Sequence, residues 1–244
     1  MEYAYLKDNY DELVTDIKKT CMEYGRNFDD IKLVAVSKTF PPEQIAEVRK
    51  LGQIIFGENK VQELREKYDI LNDKGFKDGV YSEITRDIKW HLVGHLQTNK
   101  VKYIAGFVDL IHSVDSLKLA EVINEQAEKH DRIIDVLIQV NTSGEDQKSG
   151  VEPDETEILC EAVSKLKNIR LKGLMTIGMF TDDEDIIRSN FRVLKDLFDK
   201  LKNRHGSFEY LSMGMTSDYR IAIDEGANML RIGSAIFGNR SYQR

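Results

Sequence analysis

The feature that most constrains the fold of this chain is a repeat of short apolar runs separated by amphipathic segments. Eight such runs occur along the sequence. Their aliphatic and β-branched residues do not alternate strictly with polar ones, which is typical of parallel strands buried on both faces. In chain order the runs are IKLVAVSK, QIIFGE, KWHLVG, FVDLIHSV, IIDVLIQVN, LKGLMTIG, FEYLSMG and NMLRIGS.

The segments between these runs carry apolar residues at three- and four-residue spacings, as in SLKLAEVINEQAEKH and DEDIIRSNFRVLKDLFDKLKNRH. Strand and helix units that alternate eight times predict a single α/β domain, a (β/α)8 TIM barrel over residues 1–244, with an extra N-terminal helix around residues 3–24. A doubly wound open sheet is the alternative. The mixed-charge run at residues 72–87 is predicted to be a solvated loop.

The amino-acid composition argues against several classes of protein. The chain has 42 acidic and 35 basic residues, a net charge of -7, and no basic stripe, so we expect no nucleic-acid partner. Two distant cysteines, Cys21 and Cys160, do not predict a disulfide framework. The N-terminus has no apolar signal core, and no apolar run approaches the ~20 residues that cross a bilayer. We therefore expect a cytoplasmic, reduced protein that has no membrane partner and is a monomer.

Histidine spacing does not predict a metal site. His91 and His95 are four residues apart, but they lie across a strand end and a turn rather than on one helical face. The other three histidines are scattered, without a glutamate at the spacing of metalloenzymes.

Lys38 is the first candidate functional residue. It ends the first predicted strand, and in such barrels the chemistry collects at the carboxyl ends of the strands. By the period-two rule it shares a face with Val34 and Val36, but both faces of this strand are apolar, so the sequence alone does not identify the inner one. In a partly desolvated mouth, burial would favour the neutral amine, which attacks aldehydes to form a Schiff base. A lysine that extends into solvent at the strand end is the alternative.

An anion site is predicted at the last two strand ends. After the eighth run, Gly233 allows close backbone approach, the start of a short helix supplies N–H groups, and Ser234 adds a hydroxyl. Thr216 follows the seventh run, and Asp218 or Ser217 is a candidate helix cap there. Arg231, inside the last run, would either pair with a core carboxylate or donate to the nitrogen of a pyridine ring and keep it unprotonated.

The motifs SKTFPPEQI, FGENKVQEL, WHLVGHLQTNK and LSMGMTSDYRIAIDEGANMLRIGSAIFG together resemble the pyridoxal 5'-phosphate homeostasis proteins, whose barrel is similar to that of alanine racemase. The resemblance implies a pyridoxal 5'-phosphate (PLP) cofactor held on Lys38 as a Schiff base, and a role in vitamin B6 homeostasis. It also implies that Arg231 faces the pyridine nitrogen. Gly233, Ser234 and Thr216 would hold the phosphate, although family members usually have serine where Thr216 stands and threonine where Ser234 stands. Asn59 and Met213 match positions that line the cofactor.

Three functions remain open at this point. The first is a PLP carrier that is not an enzyme and that serves PLP-dependent apoenzymes. The second is a PLP-dependent amino-acid racemase, which needs a second acid/base that alanine racemases take from a tyrosine of an added domain. The third is a phosphosugar aldolase, which would usually carry its lysine on a later strand.

Overall fold

The computed structural model describes residues 3–73, 80–145 and 149–238. Eight parallel strands close into a barrel in sequence order, so that β8 pairs with β1. The prediction of a (β/α)8 barrel is confirmed. The strands are β1 Lys32–Val36, β2 Ile55–Glu58, β3 Lys89–Leu92, β4 Leu110–Val114, β5 Ile134–Gln139, β6 Ile169–Met175, β7 Tyr210–Ser212 and β8 Met229–Ile232.

Helices cover the outside of the barrel. The predicted N-terminal helix is present as α1, and it packs beside the last two helices through contacts such as Asn9 Nδ2 to the Ile236 carbonyl. The link from β3 to β4 is a 3-10 helix, Thr98–Tyr103. The α-helices are α1 Ala4–Glu23, α2 Pro42–Lys50, α3 Val61–Asn72, α4 Val80–Thr85, α5 Leu117–Lys129, α6 Thr156–Val163, α7 Glu184–Lys202, α8 Tyr219–Asp224 and α9 Ser234–Phe237.

The predicted loop over residues 72–87 is wrong in part. Residues 80–85 form α4, and residues 74–79 lie outside the described residues. Thr85 is buried, and its hydroxyl donates to the Leu71 carbonyl near the end of α3. The partly buried ring of Tyr81 packs against the core. Tertiary contacts of this kind order a segment whose many charges suggested exposure.

The two faces of β1 separate into two hydrophobic clusters. Val34 and Val36 belong to a small cluster inside the barrel, with Leu110, Leu137 and others. Ala35 belongs to the large cluster between the sheet and the helices. The parallel register places Val34 beside Arg231 of β8, so the interior face of β1 is the face that leads to Lys38.

No helix within the described ranges is both long and apolar enough to span a membrane.

Candidate functional site

A cavity of about 700 Å³ opens at the carboxyl ends of the strands. Its wall brings together residues from β1, β5 and β8 and from the loops after β1, β2, β7 and β8, which are far apart in sequence. Six of the seven predicted site residues line it: Lys38, Asn59, Thr216, Arg231, Gly233 and Ser234. The topology of the barrel therefore gathers the residues that the sequence analysis selected one by one.

Met213 is the predicted residue that the structure does not bring to the cavity. Its side chain is fully buried in the large cluster between the sheet and the helices. Its backbone amide donates to the Met229 carbonyl and so ties the end of β7 to β8. Met215, two residues later, lines the cavity instead.

Lys38 lies in the turn directly after β1, and its side chain is half-buried at the cavity wall. The turn is closed by the amide of Phe40, which donates to the Ser37 carbonyl. Val36, the last residue of β1, lines the cavity on the same side. The interior face of β1 thus continues into the lysine, which settles the orientation that the sequence left open.

Arg231 is buried in the barrel interior at the base of the cavity, with 4% of its surface exposed. Its Nη1 donates to Ser212 Oγ at 2.7 Å, and its Nη2 donates to the Thr176 carbonyl at 2.7 Å. Both acceptors are neutral, so these contacts are not the carboxylate pair that was one alternative. Burial lowers the pKa of Arg231 to about 10, while the negative charge of Asp218 acts in the opposite direction. The guanidinium still carries its charge at neutral pH.

A chain of buried polar side chains continues from Arg231 down the barrel. His112 Nδ1 lies 3.1 Å from Ser212 Oγ, and His112 Nε2 lies 3.0 Å from His91 Nδ1. Since a guanidinium only donates, these contacts are all made when Ser212 donates to His112 and His112 donates to His91. Burial lowers the pKa of His91 to about 3 and that of His112 well below its usual value. Both imidazoles are therefore neutral, and Arg231 is held by dipoles rather than by counter-charges.

The predicted anion end of the cavity is formed by two turns. Asp218 lies at the N-cap position of α8, but its carboxylate accepts from the Met215 amide at 2.5 Å and makes no side-chain bond to the helix it precedes. This contact closes the turn that presents Thr216. Across the cavity, Gly233 precedes α9. Its carbonyl accepts from the Ile236 and Phe237 amides, and the amides of Ser234 and Ala235 lie ahead of these bonds.

Two glycines allow close backbone approach around the cavity. A Cβ at Gly233 would lie 3.1 Å from the Val36 carbonyl oxygen, so a larger residue there would require the backbone after β8 or β1 to shift slightly. A Cβ at Gly94 would lie 2.4 Å from the Asn59 carbonyl oxygen. Gly94 therefore allows the loop after β3 to lie directly against Asn59, which keeps Asn59 at the cavity wall.

Several cavity residues were not predicted. His95, Gln139, Ser149, Ile177 and Phe180 also line the cavity. Gln139 carried a usable signal, because it is the polar residue that ends the strand after three apolar residues at positions 136–138. Phe180 had no such signal, and its ring is 95% exposed at the mouth.

A buried ionic cluster, which we call the Lys67 cluster, lies behind the turn that carries Lys38. It consists of Glu58, Glu63 and Lys67. Burial raises the pKa of Glu58 to about 7, although the Lys67 ammonium and the Ser37 hydroxyl favour the carboxylate. Among the described residues, Glu58 Oε2 has no hydrogen-bond partner.

The structure separates the two histidines that share four-residue spacing. His91 faces His112 inside the barrel, whereas His95 is exposed at the mouth, 3.8 Å from Asp115. In the part of the chain that the structure describes, no group of three or more histidine, cysteine, aspartate or glutamate residues is arranged to hold a metal ion.

The chain is similar to known proteins over nearly its whole length. A family model described as alanine racemase, N-terminal domain, matches residues 19–241. A pyridoxal phosphate homeostasis protein of Aquifex aeolicus (strain VF5) is 43% identical over 227 residues, which cover 93% of this chain and 94% of the relative. The protein of the same name from Vibrio cholerae serotype O1 is 37% identical over 239 residues and 98% of each chain.

Solved structures show the same fold. A protein described as unknown from Bifidobacterium adolescentis has a TM-score of 0.87 and 33% identity, covering 95% of this chain and 94% of its own. PipY of Synechococcus elongatus PCC7942, solved with PLP bound, has a TM-score of 0.76 and 31% identity, covering 91% and 100%. An alanine racemase of Clostridium difficile 630 has a TM-score of 0.71 at 19% identity, covering 98% of this chain and 57% of the racemase, a likeness of fold alone.

Proposed function

Since the chain belongs to the pyridoxal phosphate homeostasis proteins of the alanine racemase N-terminal domain family, we propose that it binds pyridoxal 5'-phosphate and contributes to vitamin B6 homeostasis. The observation that carries this proposal is one cavity that holds a lysine, a buried arginine and two hydroxyls at the carboxyl ends of the barrel strands. The proposed unit of function is a single PLP-binding barrel domain over residues 1–244.

The residues of the cavity fit the chemical groups of PLP. Lys38 offers an amine to the aldehyde, and Arg231 offers a permanent charge to the pyridine ring. Thr216, Ser234 and the backbone next to Gly233 offer hydroxyl and amide donors to a phosphate. The carboxylate nearest to this anion end, Asp218, is turned toward the Met215 amide, so it does not oppose a bound anion directly.

Each residue has a distinct part in the proposed binding. A bound cofactor would supply a reactive aldehyde, and the amine of Lys38 would hold it as a reversible Schiff base with loss of one water. Arg231 would donate to the ring nitrogen and, because it stays charged, would keep a proton off that nitrogen. An unprotonated ring draws electrons weakly, which suits storage better than turnover. Asn59 would line the ring from the cavity wall, and Met213 supports the end of β7 from the core.

We favour a PLP carrier over an amino-acid racemase. Racemisation on two faces of a ring needs a second acid/base, which the alanine racemases take from a tyrosine. Among the described residues that line the cavity there is no tyrosine. We further propose that the protein acts as a cytoplasmic monomer that supplies PLP to apoenzymes. The two described cysteines are buried and free, as expected in a reducing compartment.

A titration with PLP tests the proposed site. The wild-type protein should develop an imine absorbance band near ~420 nm that borohydride converts to a stable adduct on Lys38. Lys38→Ala should lose both, while Lys60→Ala, an exposed lysine beside Asn59, should keep both. Thr216→Val should weaken binding by roughly 1.5 to 3 kcal/mol, the worth of one charge-assisted phosphate contact. A band that persists in Lys38→Ala would contradict the assignment.

A second set of assays separates carriage from catalysis. Incubation of the loaded protein with L-amino acids should produce no D-isomer above the rate of free PLP. Incubation with a cofactor-free PLP enzyme should restore the activity of that enzyme. D-isomer production that depends on Lys38 would favour the racemase instead.

A further inference from the structure

The Lys67 cluster places three ionisable side chains, two of them buried, directly behind the turn that carries Lys38. The side chains of Glu58 and Lys67 are 0% and 5% exposed, and Glu63 is 23% exposed. Lys67 Nζ donates to Glu58 Oε1 at 2.8 Å and to Glu63 Oε1 at 2.7 Å. Buried ion pairs of this kind are weak contributors to stability, because desolvation offsets their attraction. Stability alone therefore does not explain the Lys67 cluster, and its contacts with the backbone indicate another role.

Both neighbours of Lys38 in the chain are held by this cluster. Lys67 Nζ donates to the Ser37 carbonyl at 2.8 Å, and Ser37 Oγ donates to Glu58 Oε1 at 2.6 Å. On the other side, the Thr39 amide donates to Glu63 Oε1 at 2.5 Å. Each member of the cluster thus makes one bond to residues 37–39, and the bonds made by Lys67 and Glu63 have a charged partner, which makes them strong.

The conformation of Thr39 shows that this turn needs to be held. Its φ is 71°, in the left-handed region that β-branched residues rarely adopt. Strained residues persist only where the surrounding contacts over-determine them, and they concentrate at functional sites. The bond from the Thr39 amide to Glu63 is a contact of this kind.

We propose that Lys67, together with Glu58 and Glu63, positions the backbone of residues 37–39 so that the Lys38 amine points into the cavity. This inference rests on the proposed function of Lys38 and adds residues outside the cavity wall to it. Lys67 acts through the turn as a positioning residue and does not touch the cofactor.

Lys67→Met tests the proposal, since methionine keeps much of the buried volume and removes all three donated bonds. Its matched control is Lys129→Met, which breaks an exposed i,i+4 pair with Glu125 on α5. In the full-length protein without added PLP, amide exchange at residues 37–40 should accelerate at least about tenfold in Lys67→Met only. With PLP added, the dissociation constant of the imine should rise roughly tenfold to hundredfold.

A second variant guards against a general loss of folding. Glu63→Ala removes the bond to the Thr39 amide from a partly exposed helix position, and it should give a smaller change in the same direction. Glu58→Gln keeps an acceptor for Ser37 and Lys67 but removes the negative charge, and it should also give a smaller change in the same direction.

The experiments distinguish a failure of the proposed function from a failure of the positioning role. If the wild-type protein forms no imine on Lys38, the proposed function fails. The amide exchange rates at residues 37–40 still test whether Lys67 holds the turn. If wild-type and Lys67→Met protein bind PLP equally and exchange residues 37–40 equally, the positioning role is overturned while the proposed function stands. Accelerated exchange with unchanged imine formation would also overturn it.

Discussion

Replacing Glu58 with glutamine should change how the stability of this protein depends on pH. Glu58 ends β2, is fully buried, and shares Oε1 between Ser37 and Lys67, while Oε2 lacks a partner within the described residues. Burial raises the pKa of Glu58 from 4.5 to about 7. The groups that face it are the Lys67 ammonium, which lowers this pKa, and the Glu63 carboxylate, which raises it.

The size and sign of the effect follow from this pKa. At about 1.4 kcal/mol per pKa unit, a rise from 4.5 to about 7 corresponds to about 3 kcal/mol between the folded and unfolded states. Because the folded-state pKa is the higher one, the contribution of protonated Glu58 is fully present below pH 4.5 and is lost as pH rises to about 7. Glutamine keeps the acceptor contacts and does not titrate.

Urea unfolding of both proteins between about pH 5 and about pH 8 measures the difference. The wild-type free energy of unfolding should fall relative to that of Glu58→Gln by about 2 to 3 kcal/mol across this range and then level off. Glu66→Gln, an exposed position on α3, is the control, and its difference from wild type should stay within about 0.5 kcal/mol. A flat difference for Glu58→Gln, or one that rises with pH, would refute the reasoning.

Two further predictions follow from packing. Gly94→Ala should destabilise the protein by about 1 to 3 kcal/mol in thermal or urea unfolding, because the new Cβ would meet the Asn59 backbone. Gly206→Ala is the control, and it should change stability little because the space around Gly206 is open. Equal effects of the two substitutions would contradict this prediction. Burial raises the pKa of Cys160 to about 12, so a thiol reagent should modify it at least about a hundredfold more slowly in native than in urea-unfolded protein, and rapid native labelling would refute this.

The fold was predictable because its signals are local and repeated. The runs that became β5 and β6 lack strict alternation, as expected of strands with helices on one side and a filled barrel on the other. The same logic failed for α4, where the local pattern is dominated by charge. The burial of Thr85 against α3 outweighs that charge, and no local pattern reveals it.

The candidate site was predictable as far as topology alone determines it. Once eight parallel strands close, their carboxyl ends must share one mouth, so residues after β1, β7 and β8 converge whatever lies between them. The orientation of Lys38 needed the packing of Val34 and Val36 inside the barrel, since both faces of β1 are apolar. Met213 matched a family motif, yet its side chain points to the outer layer, and a motif does not specify that.

The Lys67 cluster shows why the support of the site escaped prediction. Glu63 and Lys67 are four residues apart on α3, a spacing that by itself predicts an ordinary solvated pair. Only when α3 lies against β1 and β2 does the Lys67 ammonium meet both Glu58 and the Ser37 carbonyl, and only then does burial raise the pKa of Glu58. The pH dependence expected of Glu58 is therefore a property of the assembled barrel, and its loss in a variant that keeps Glu58 would report that the turn bearing Lys38 has parted from α3.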